Sequence, residues 1–373
     1  MKRELYMVEL LRLSRELDAQ LSGSYIDQFY QTGQDRFRVK VNAKKRRSNL
    51  NMHLPYYIAL SDTAEVSDEA SPFSMAMRKR IDGFRISAVG LLGGDRILQI
   101  GIEKAEARLH MIIELFGKGN IILTDDQMRI LLAYKQREFS ERTIKNRAAY
   151  APPKSASMSV WNRAALSMAV DEAYESGEDG LASHVARRAG IGTAYVMDAI
   201  ERTGLGPKTK MRDVPREKMV ELYERMLDTI NTAKGDAPAI LYLRDGKPLD
   251  FSLRPMMRYE GAESKACATI NEAICAFYSS FDPSAGLGEK NAEVERITAS
   301  MRKQQEAVLA LEAEAAQARK AGDWISARAD LINHAIGIAR DKSSEAKAIS
   351  AAVGLEVMAI DRKRRTIKVN ATG

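Results

Sequence analysis

The chain opens with helical periodicity. Residues 5–21 place apolar side chains on one arc of a helix, namely Met7, Leu10, Leu13, Leu17 and Leu21. Polar side chains of the same stretch, among them Glu9, Arg12 and Glu16, fall on the opposite arc. This spacing predicts an amphipathic first helix with Glu9 on its polar face.

Alternating apolar and polar positions, bounded by glycine turns, then predict a series of strands. The predicted strands are 24–31, 36–42, 49–54, 85–92, 95–103, 108–116, 121–124 and 128–135. A helix is predicted over 73–81, with Ser71-Pro72 at its start. Gly93-Gly94 indicates a tight hairpin turn between two of the strands. The pattern favours the α+β class, a β-sandwich or half-barrel with flanking helices.

A linker at 151–155 precedes a wholly helical stretch that runs to about residue 233. Inside it, two short amphipathic segments flank Gly190 and Gly192, and residues 181–206 resemble a helix-hairpin-helix motif. Glycines at such a turn let backbone N–H groups at a helix N-terminus approach a phosphate. Glycine also ends helices for structural reasons, so phosphate contact and a simple packing turn are both open.

The C-terminal part begins with a hairpin at 238–253 and a helix at 272–281. A heptad pattern over 294–336 then predicts a coiled coil or long helical hairpin, with an interruption at 322–324. The basic segment 362–369 is predicted to be a strand, and no other repeat of fixed period is evident. These features divide the chain into a first domain (1–150), a helical domain with the hairpin motif (151–236) and a coiled-coil or middle region (286–373). Between the last two, the strands and helix of 237–285 complete either the N-terminal or the middle domain.

Composition excludes several classes of protein. Hydrophobic residues make up 45% and charged residues 29%, which excludes disorder throughout the chain. No apolar run reaches the roughly 18 residues of a membrane span. The charged N-terminus is unlike a secretory signal, so we expect a soluble cytoplasmic protein.

The net charge of +7 is modest, but its distribution is uneven. A basic run at 36–47 contains Arg36, Arg38, Lys40, Lys44, Lys45, Arg46 and Arg47 and no acid. The second predicted helix adds Arg78 and Lys79. Clustered cations are typical of a surface that binds a polyanion, and we expect phosphate contacts here. The alternative is a solvated edge strand whose lysines discourage aggregation.

Motifs for covalent chemistry are missing. Cys267 and Cys275 are too few for a disulfide framework, and the four histidines are far apart in sequence. No phosphate-binding loop, dinucleotide fingerprint or nucleophile elbow is present. The sequence therefore favours a binding module without a cofactor, a metal or a catalytic residue.

Several segments together resemble the NFACT family of ribosome-associated quality-control factors. They are LLRLSRELDAQLSGSYIDQFYQ, SPFSMAMRKRIDGFRI, GGDRILQIGI, LHMIIELFGKGNIILTD and INEAICAFYSSF. The resemblance spans nearly the whole chain. It implies an N-terminal domain related in fold to the formamidopyrimidine-DNA glycosylases, and binding of tRNA and of large ribosomal subunits obstructed by peptidyl-tRNA.

The resemblance also implies site residues. An acid on the first helix matches Glu9, and an Asp-Arg pair in the hairpin matches Asp95 and Arg96. Members that elongate tails on stalled nascent chains need these residues, while the ribosome forms the peptide bonds. We expect Arg96 to be exposed, and self-association through the coiled coil. The alternative functions are a glycosylase or lyase on the related fold, although its N-terminal proline nucleophile is missing, and a surface adhesin.

Overall fold

The computed structural model describes residues 2–43, 46–64, 70–138, 142–153, 166–175, 180–206, 208–280, 282, 287–341, 343–364 and 366–370. The chain divides into two compact units, Met1–Pro283 and Ser284–Gly373. The first contains a large sheet with helices packed on it, and the second is mainly helical. The predicted α+β class is confirmed. The finer division into four segments stays a prediction.

The helices of the first unit are α1 (Met7–Leu21), α2 (Pro72–Ile81), α3 (Leu166–Glu175), α4 (Leu181–Ala189), α5 (Thr193–Arg202), α6 (Arg216–Lys234) and α7 (Ile270–Ser280). Its main strands are β1 (Tyr25–Gly33), β2 (Arg36–Ala43), β3 (Arg46–His53), β4 (Tyr57–Ser61), β5 (Arg85–Leu91), β6 (Ile97–Lys104), β7 (Ala107–Glu114), β8 (Asn120–Asp125) and β9 (Ile130–Ala133). Shorter strands are β10 (Arg137–Glu138), β11 (Thr143–Ile144), β12 (Ala239–Arg244), β13 (Lys247–Ser252) and β14 (Ser264–Cys267). Most predicted strands are confirmed, whereas β4 has no counterpart in the prediction.

Strands β1–β9 form one antiparallel sheet in the order β4-β3-β2-β1-β5-β6-β7-β8-β9. The main hydrophobic core lies on one face of the sheet and includes side chains from each of the helices α1–α7. A smaller cluster on the other face includes Ile97, Ile112 and Ile122. Strands β6, β7 and β8 are therefore buried on both faces, which explains their nearly continuous apolar sequence.

The sheet contains an internal repeat that the sequence pattern did not reveal. Each half consists of a helix, a glycine turn and four strands, β1–β4 in one and β5–β8 in the other, and β1 and β5 meet at the centre. Strand β9 lies outside the repeat, at the edge next to β8. Tyr25 pairs with Arg85, which occupies the equivalent position in the second half, 60 residues later. The flanking hydrogen bonds repeat in the same way. Gly23 N donates to Ile86 O at 2.8 Å, and its counterpart Gly83 N donates to Ile26 O at 2.9 Å. A local two-fold relationship therefore passes through the centre of the sheet.

The first helix is covered more completely than its periodicity predicts. Glu9 and Arg12, predicted on a polar face, are 0% and 2% exposed. The Arg12 guanidinium donates to three backbone carbonyls at the end of α6, those of Thr232, Ala233 and Ala237. A cation at this position satisfies terminal carbonyls and is favoured by the helix dipole. The prediction of an exposed polar face is wrong for these two residues, because the end of α6 covers Arg12 while Lys2 and Tyr195 of α5 cover Glu9.

The second unit contains α8 (Leu287–Ser326), α9 (Ala329–Ala339), α10 (Ala346–Val353), β15 (Val357–Asp361) and β16 (Thr366–Val369). The long helix predicted by the heptads is confirmed by the 40 residues of α8. The predicted interruption at 322–324 is wrong, since α8 continues through Gly322 and ends at Ser326. The predicted strand 362–369 is also too long, because 362–364 form the turn between β15 and β16. Val308 and Leu311 on α8 are exposed.

Candidate nucleic-acid interface

The turn that connects β5 to β6 positions Asp95 and Arg96. The Asp95 carboxylate accepts a hydrogen bond from Arg96 N at 2.7 Å, which fixes the turn. The Arg96 guanidinium pairs with Glu4 Oε2 at 2.5 Å and donates to Leu5 O at 3.1 Å. About a fifth of the side chain is exposed (22%). Arg96 was expected to be exposed; it is instead partly buried and held in place, and about a fifth of its side chain reaches solvent.

The predicted helix-hairpin-helix is present as α4 and α5, with Gly190 and Gly192 between them. Gly190 ends α4 with a left-handed φ of 62°. Gly192 precedes α5 with a φ of 110°, and a Cβ there would lie 2.5 Å from the Tyr6 ring. No side chain caps the N-terminus of α5. Backbone N–H groups at an uncapped helix N-terminus favour an anion.

The Asp-Arg turn and the helical hairpin open onto one cavity of about 400 Å³. Its lining residues come from the N-terminal segment, the β5–β6 turn, the end of α4 and the start of α5: Glu4, Tyr6, Met7, Gly94, Asp95, Arg96, Arg187, Gly190, Gly192 and Thr193. We call it the Arg96 cleft. It brings together Asp95, Arg96, Gly190 and Gly192, four residues chosen separately from the sequence.

Glu9 lies beneath the Arg96 cleft and is fully buried. Its Oε1 pairs with Lys2 Nζ at 2.5 Å and accepts from the Tyr195 hydroxyl at 2.9 Å, while Oε2 accepts from Tyr6 N at 2.8 Å. Tyr195 in turn accepts from Leu253 N at 2.9 Å. Glu9 thus connects α1 to α5 and to the segment after β13. The carboxylate has no surface from which to touch RNA, so its predicted role in tRNA handling would act through the elements it connects.

Electrostatics around Glu9 reflect burial. Desolvation raises the pKa of Glu9, and the opposing attraction of Lys2 offsets part of that effect. Desolvation, together with the nearby Glu9 charge, also raises the pKa of Tyr6 and of Tyr195. Both phenols therefore remain neutral at physiological pH. Tyr195 acts as a fixed hydrogen-bond donor to Glu9 rather than as a base.

Most of the other predicted cations lie on the polar face of β2 and β3 or on α2. Arg38 and Arg78 both stack on the Tyr30 ring, with guanidinium carbons 4.1 and 4.7 Å from its centroid. Lys40 pairs with Asp27 at 2.6 Å, and Arg36 pairs with Asp282 at 2.6 Å. Arg47 and Lys79 are exposed. Of the remaining residues of the run, Lys44 and Lys45 lie outside the described residues, and Arg46 is described only as the start of β3.

Sequence reasoning missed several residues of this region. Glu4, Arg187, Lys2 and Tyr195 join the Arg96 cleft or the cluster beneath it. Arg187 and Tyr195 flank the glycine turn, so the hairpin motif could have indicated them. No local sequence motif marks Lys2 or Glu4 as part of a site. The two cysteines lie on different elements: Cys267 ends β14 and Cys275 lies on α7.

The described residues show neither a metal site nor a membrane span. No group of three metal-ligating side chains occurs within the described part of the chain. Among the described helices, none is both long enough and apolar enough to cross a bilayer.

The fold is shared with solved bacterial proteins. The N-terminal part of the fibronectin/fibrinogen-binding protein from Streptococcus suis matches with a TM-score of 0.53 and 18% identity, over 74% of this chain and 98% of that one. The fibrinogen binding protein from Staphylococcus aureus matches with a TM-score of 0.54 and 16% identity, over 73% and 99%. At these identities the likeness defines the fold class alone.

The family is defined by sequence. The family model described as "NFACT N-terminal and middle domains" matches residues 7–360, and the chain belongs to this family. The archaeal Rqc2 homolog aRqcH of Methanocaldococcus jannaschii is 23% identical over 307 residues, or 78% of this chain and 45% of that protein. Ribosome quality control complex subunit 2 of Saccharomyces cerevisiae is 28% identical over 134 residues, 35% and 13% of the two chains. The chain thus spans less than half the length of these relatives.

Proposed function

We propose that this chain is a factor of ribosome-associated quality control that binds tRNA on obstructed large ribosomal subunits. The names of its relatives support a role in this process, since they are ribosome quality control subunits or a homolog of one. The Arg96 cleft supports the mode of binding. The same inference favours a cytoplasmic location.

One observation carries the proposal: two arginines and an uncapped helix N-terminus converge on the Arg96 cleft. Arginine offers a planar fork that suits phosphate or a base edge, and Asp95 holds the turn that carries it. The open start of α5 adds backbone donors for a phosphate. Such a surface can bind a tRNA backbone without any group that attacks it.

The buried cluster around Glu9 would make the cleft rigid. Its carboxylate joins α1, α5 and the segment after β13, so the two walls of the cleft keep one geometry. On this proposal, tail elongation on a stalled nascent chain takes its chemistry from the ribosome. This protein would select and position tRNA, and it is not an enzyme. Self-association through the exposed heptad residues of α8 is part of the same proposal.

Equilibrium binding of fluorescent tRNA to wild type and to Arg96→Ala tests the proposal. Removing a hydrogen bond to a charged group costs about 1.5 kcal/mol or more, so Arg96→Ala should bind about tenfold more weakly. Arg85→Ala is the matched control, because Arg85 also forms an ion pair on the same sheet, with Glu103. It should bind as wild type does. Equal affinity of Arg96→Ala and wild type, with both folded, would overturn the proposal.

A further inference from the structure

The internal repeat places a second Asp-Arg turn in the first unit. Asp35 and Arg36 precede Asp95 and Arg96 by 60 residues. Asp35 lies in the turn before β2 and Arg36 is the first residue of β2, while Asp95 and Arg96 both lie in the turn before β6. Each arginine is held by an acid from a distant segment: Arg36 by Asp282 at 2.6 Å, and Arg96 by Glu4. The arrangement at the Arg96 cleft, an Asp-Arg pair whose arginine is ion-paired with a distant acid, therefore occurs in both halves of the repeat.

Arg36 lines a cavity of its own, of about 470 Å³, which we call the Arg36 cavity. It lies between the polar face of β2–β4 and the C-terminal end of α7, and its walls include Asn51, His53, Tyr57 and Tyr278. Tyr57 and Tyr278 stack with ring centroids 4.2 Å apart. This volume and this mixture of aromatic and polar groups are typical of small-ligand sites.

Asn51 gives the cavity an unmet hydrogen-bonding requirement. Its Nδ2 donates to Ser61 Oγ at 3.0 Å and to Thr63 O at 3.1 Å. A backbone carbonyl can only accept, so the contact with Thr63 fixes which end of the amide is nitrogen. The opposite atom, Oδ1, is buried without a hydrogen-bond partner, and the residue is 8% exposed. A buried acceptor without a donor costs about 1–3 kcal/mol, so the site suits a ligand that brings an N–H group.

The charges around the cavity favour a polyanion. Desolvation, helped by the Arg36 charge, lowers the pKa of His53 to about 4, so the imidazole is neutral at physiological pH. At the cavity itself, Arg36 is paired with another lining residue, Asp282, at 2.6 Å, so the net positive charge comes from the strand face that continues from Arg36. Along the same face of β2 and β3, Arg36 is followed by Arg38, Lys40 and Arg47. A row of cations that leads to an aromatic cavity is typical of single-stranded nucleic-acid binding.

We propose that the Arg36 cavity holds one unstacked nucleotide of a bound RNA, with its phosphate on Arg36 and a base amino group on Asn51 Oδ1. The base must leave its stack because a base that is stacked within a helix cannot enter a cavity on a protein surface. The inference rests on the proposed function, because RNA is the polyanion that the rest of the chain is proposed to bind. It adds base discrimination at a site separate from the Arg96 cleft.

Two pairs of mononucleotides test the assignment, each differing only in the amino group. They are adenosine and purine riboside 5′-monophosphates, and cytidine and 2-pyrimidinone riboside 5′-monophosphates. Ligand-observed NMR titrations of the full chain would give the Kd of each. In at least one pair, the nucleotide with the amino group should bind about fivefold or more tightly, since a satisfied buried acceptor is worth about 1 kcal/mol or more. The assignment is overturned if the two Kd values are equal within each pair. It is also overturned if an acidic peptide binds the cavity and displaces the nucleotides from it.

Variants separate this site from the proposed function. Arg36→Ala should weaken both members of the preferred pair, and Asn51→Ala should remove the difference between them. Should Asn51→Ala not fold, the wild-type comparison and Arg36→Ala still decide. Arg85→Ala, which removes an arginine of another ion pair on the same sheet, is the control and should leave all four affinities unchanged. If tRNA binds through Arg96 but no pair differs, the cavity assignment alone fails. If the pairs differ but tRNA does not bind, the proposed function alone fails.

Discussion

The hydroxyl of Tyr195 donates a hydrogen bond of 2.9 Å to Glu9 Oε1, although the two residues lie 186 positions apart in the chain. This contact ties the second helix of the hairpin to the first helix of the chain. The Arg96 cleft lies directly above it, so the buried cluster and the surface site form one structural element. Substitutions in the cluster should therefore affect stability first and RNA binding as a consequence.

Replacement of Glu9 tests the structural role of the cluster. Glu9→Gln leaves the buried Lys2 with one anionic partner, Asp250 at 3.6 Å, in place of two. The loss of stability should therefore be smaller than the roughly 3–5 kcal/mol of a buried charge left with no partner at all. Urea unfolding followed by circular dichroism would measure the loss. The control is the double variant Lys2→Met with Glu9→Gln, which removes both charges and should recover much of the stability. A single variant as stable as wild type would mean that the ion pair contributes nothing.

Gly192 tests the packing of the hairpin on the N-terminal segment. Gly192→Ala adds a Cβ that would meet the Tyr6 ring at 2.5 Å, at a φ of 110° that side chains rarely adopt. Gly204→Ala is the control, since its φ of 74° is also positive but nothing lies within 4 Å of the added Cβ. Gly204→Ala should cost about 1–2 kcal/mol from backbone strain alone, and Gly192→Ala clearly more. Gly192→Ala should also weaken tRNA binding; equal losses in the two variants would refute the close packing.

His53 predicts a pH dependence of stability. Its pKa falls from the ordinary 6.5 to about 4 in the folded protein, mainly through desolvation. Between these two values the unfolded chain binds more protons, so the free energy of unfolding decreases as the pH is lowered from 6.5 toward 4. Urea unfolding at several pH values should show a shallower decrease for His53→Gln than for wild type. Parallel curves for the two proteins would show that His53 titrates normally.

The basic run predicts salt-dependent RNA affinity. Replacing Lys44, Lys45, Arg46 and Arg47 together by alanine should lower the affinity for unrelated RNAs about equally. Each phosphate contact contributes roughly 0.7–0.9 to the slope of log K against log salt concentration. Loss of four cations should therefore reduce the magnitude of that slope by up to about 3. An equal change of charge at exposed cations elsewhere, Arg212, Arg244, Lys247 and Lys265, is the control and should change the slope little. A changed sequence preference without a changed slope would contradict phosphate contact.

Local signals predicted local features well. The Gly93-Gly94 turn with Asp95 and Arg96, and the glycines of the hairpin, lie where the sequence indicated. Gly322 did not end α8, because a single glycine in a helix costs only about 1 kcal/mol. Strand β4 was missed because five residues after Pro55 give too short an alternating pattern.

Features that depend on distant contacts could not be predicted. The periodicity of α1 gives the arc on which Glu9 lies but not what covers that arc, and the covering helices follow more than 180 residues later. The internal repeat was missed for a related reason. Its halves share a few positions, such as Gly23 with Gly83, and only the pairing of β1 with β5 makes them evident.

A photocrosslink from inside the Arg96 cleft would show whether tRNA occupies it. A photoreactive amino acid would replace Thr193, which lines the cleft, or Glu201, which is exposed near the other end of the same helix. After irradiation of cells, the RNA attached to each variant would be sequenced. Our account predicts tRNA strongly enriched on the Thr193 variant and not on the Glu201 variant. The absence of tRNA from the Thr193 variant, or equal enrichment on both, would contradict it.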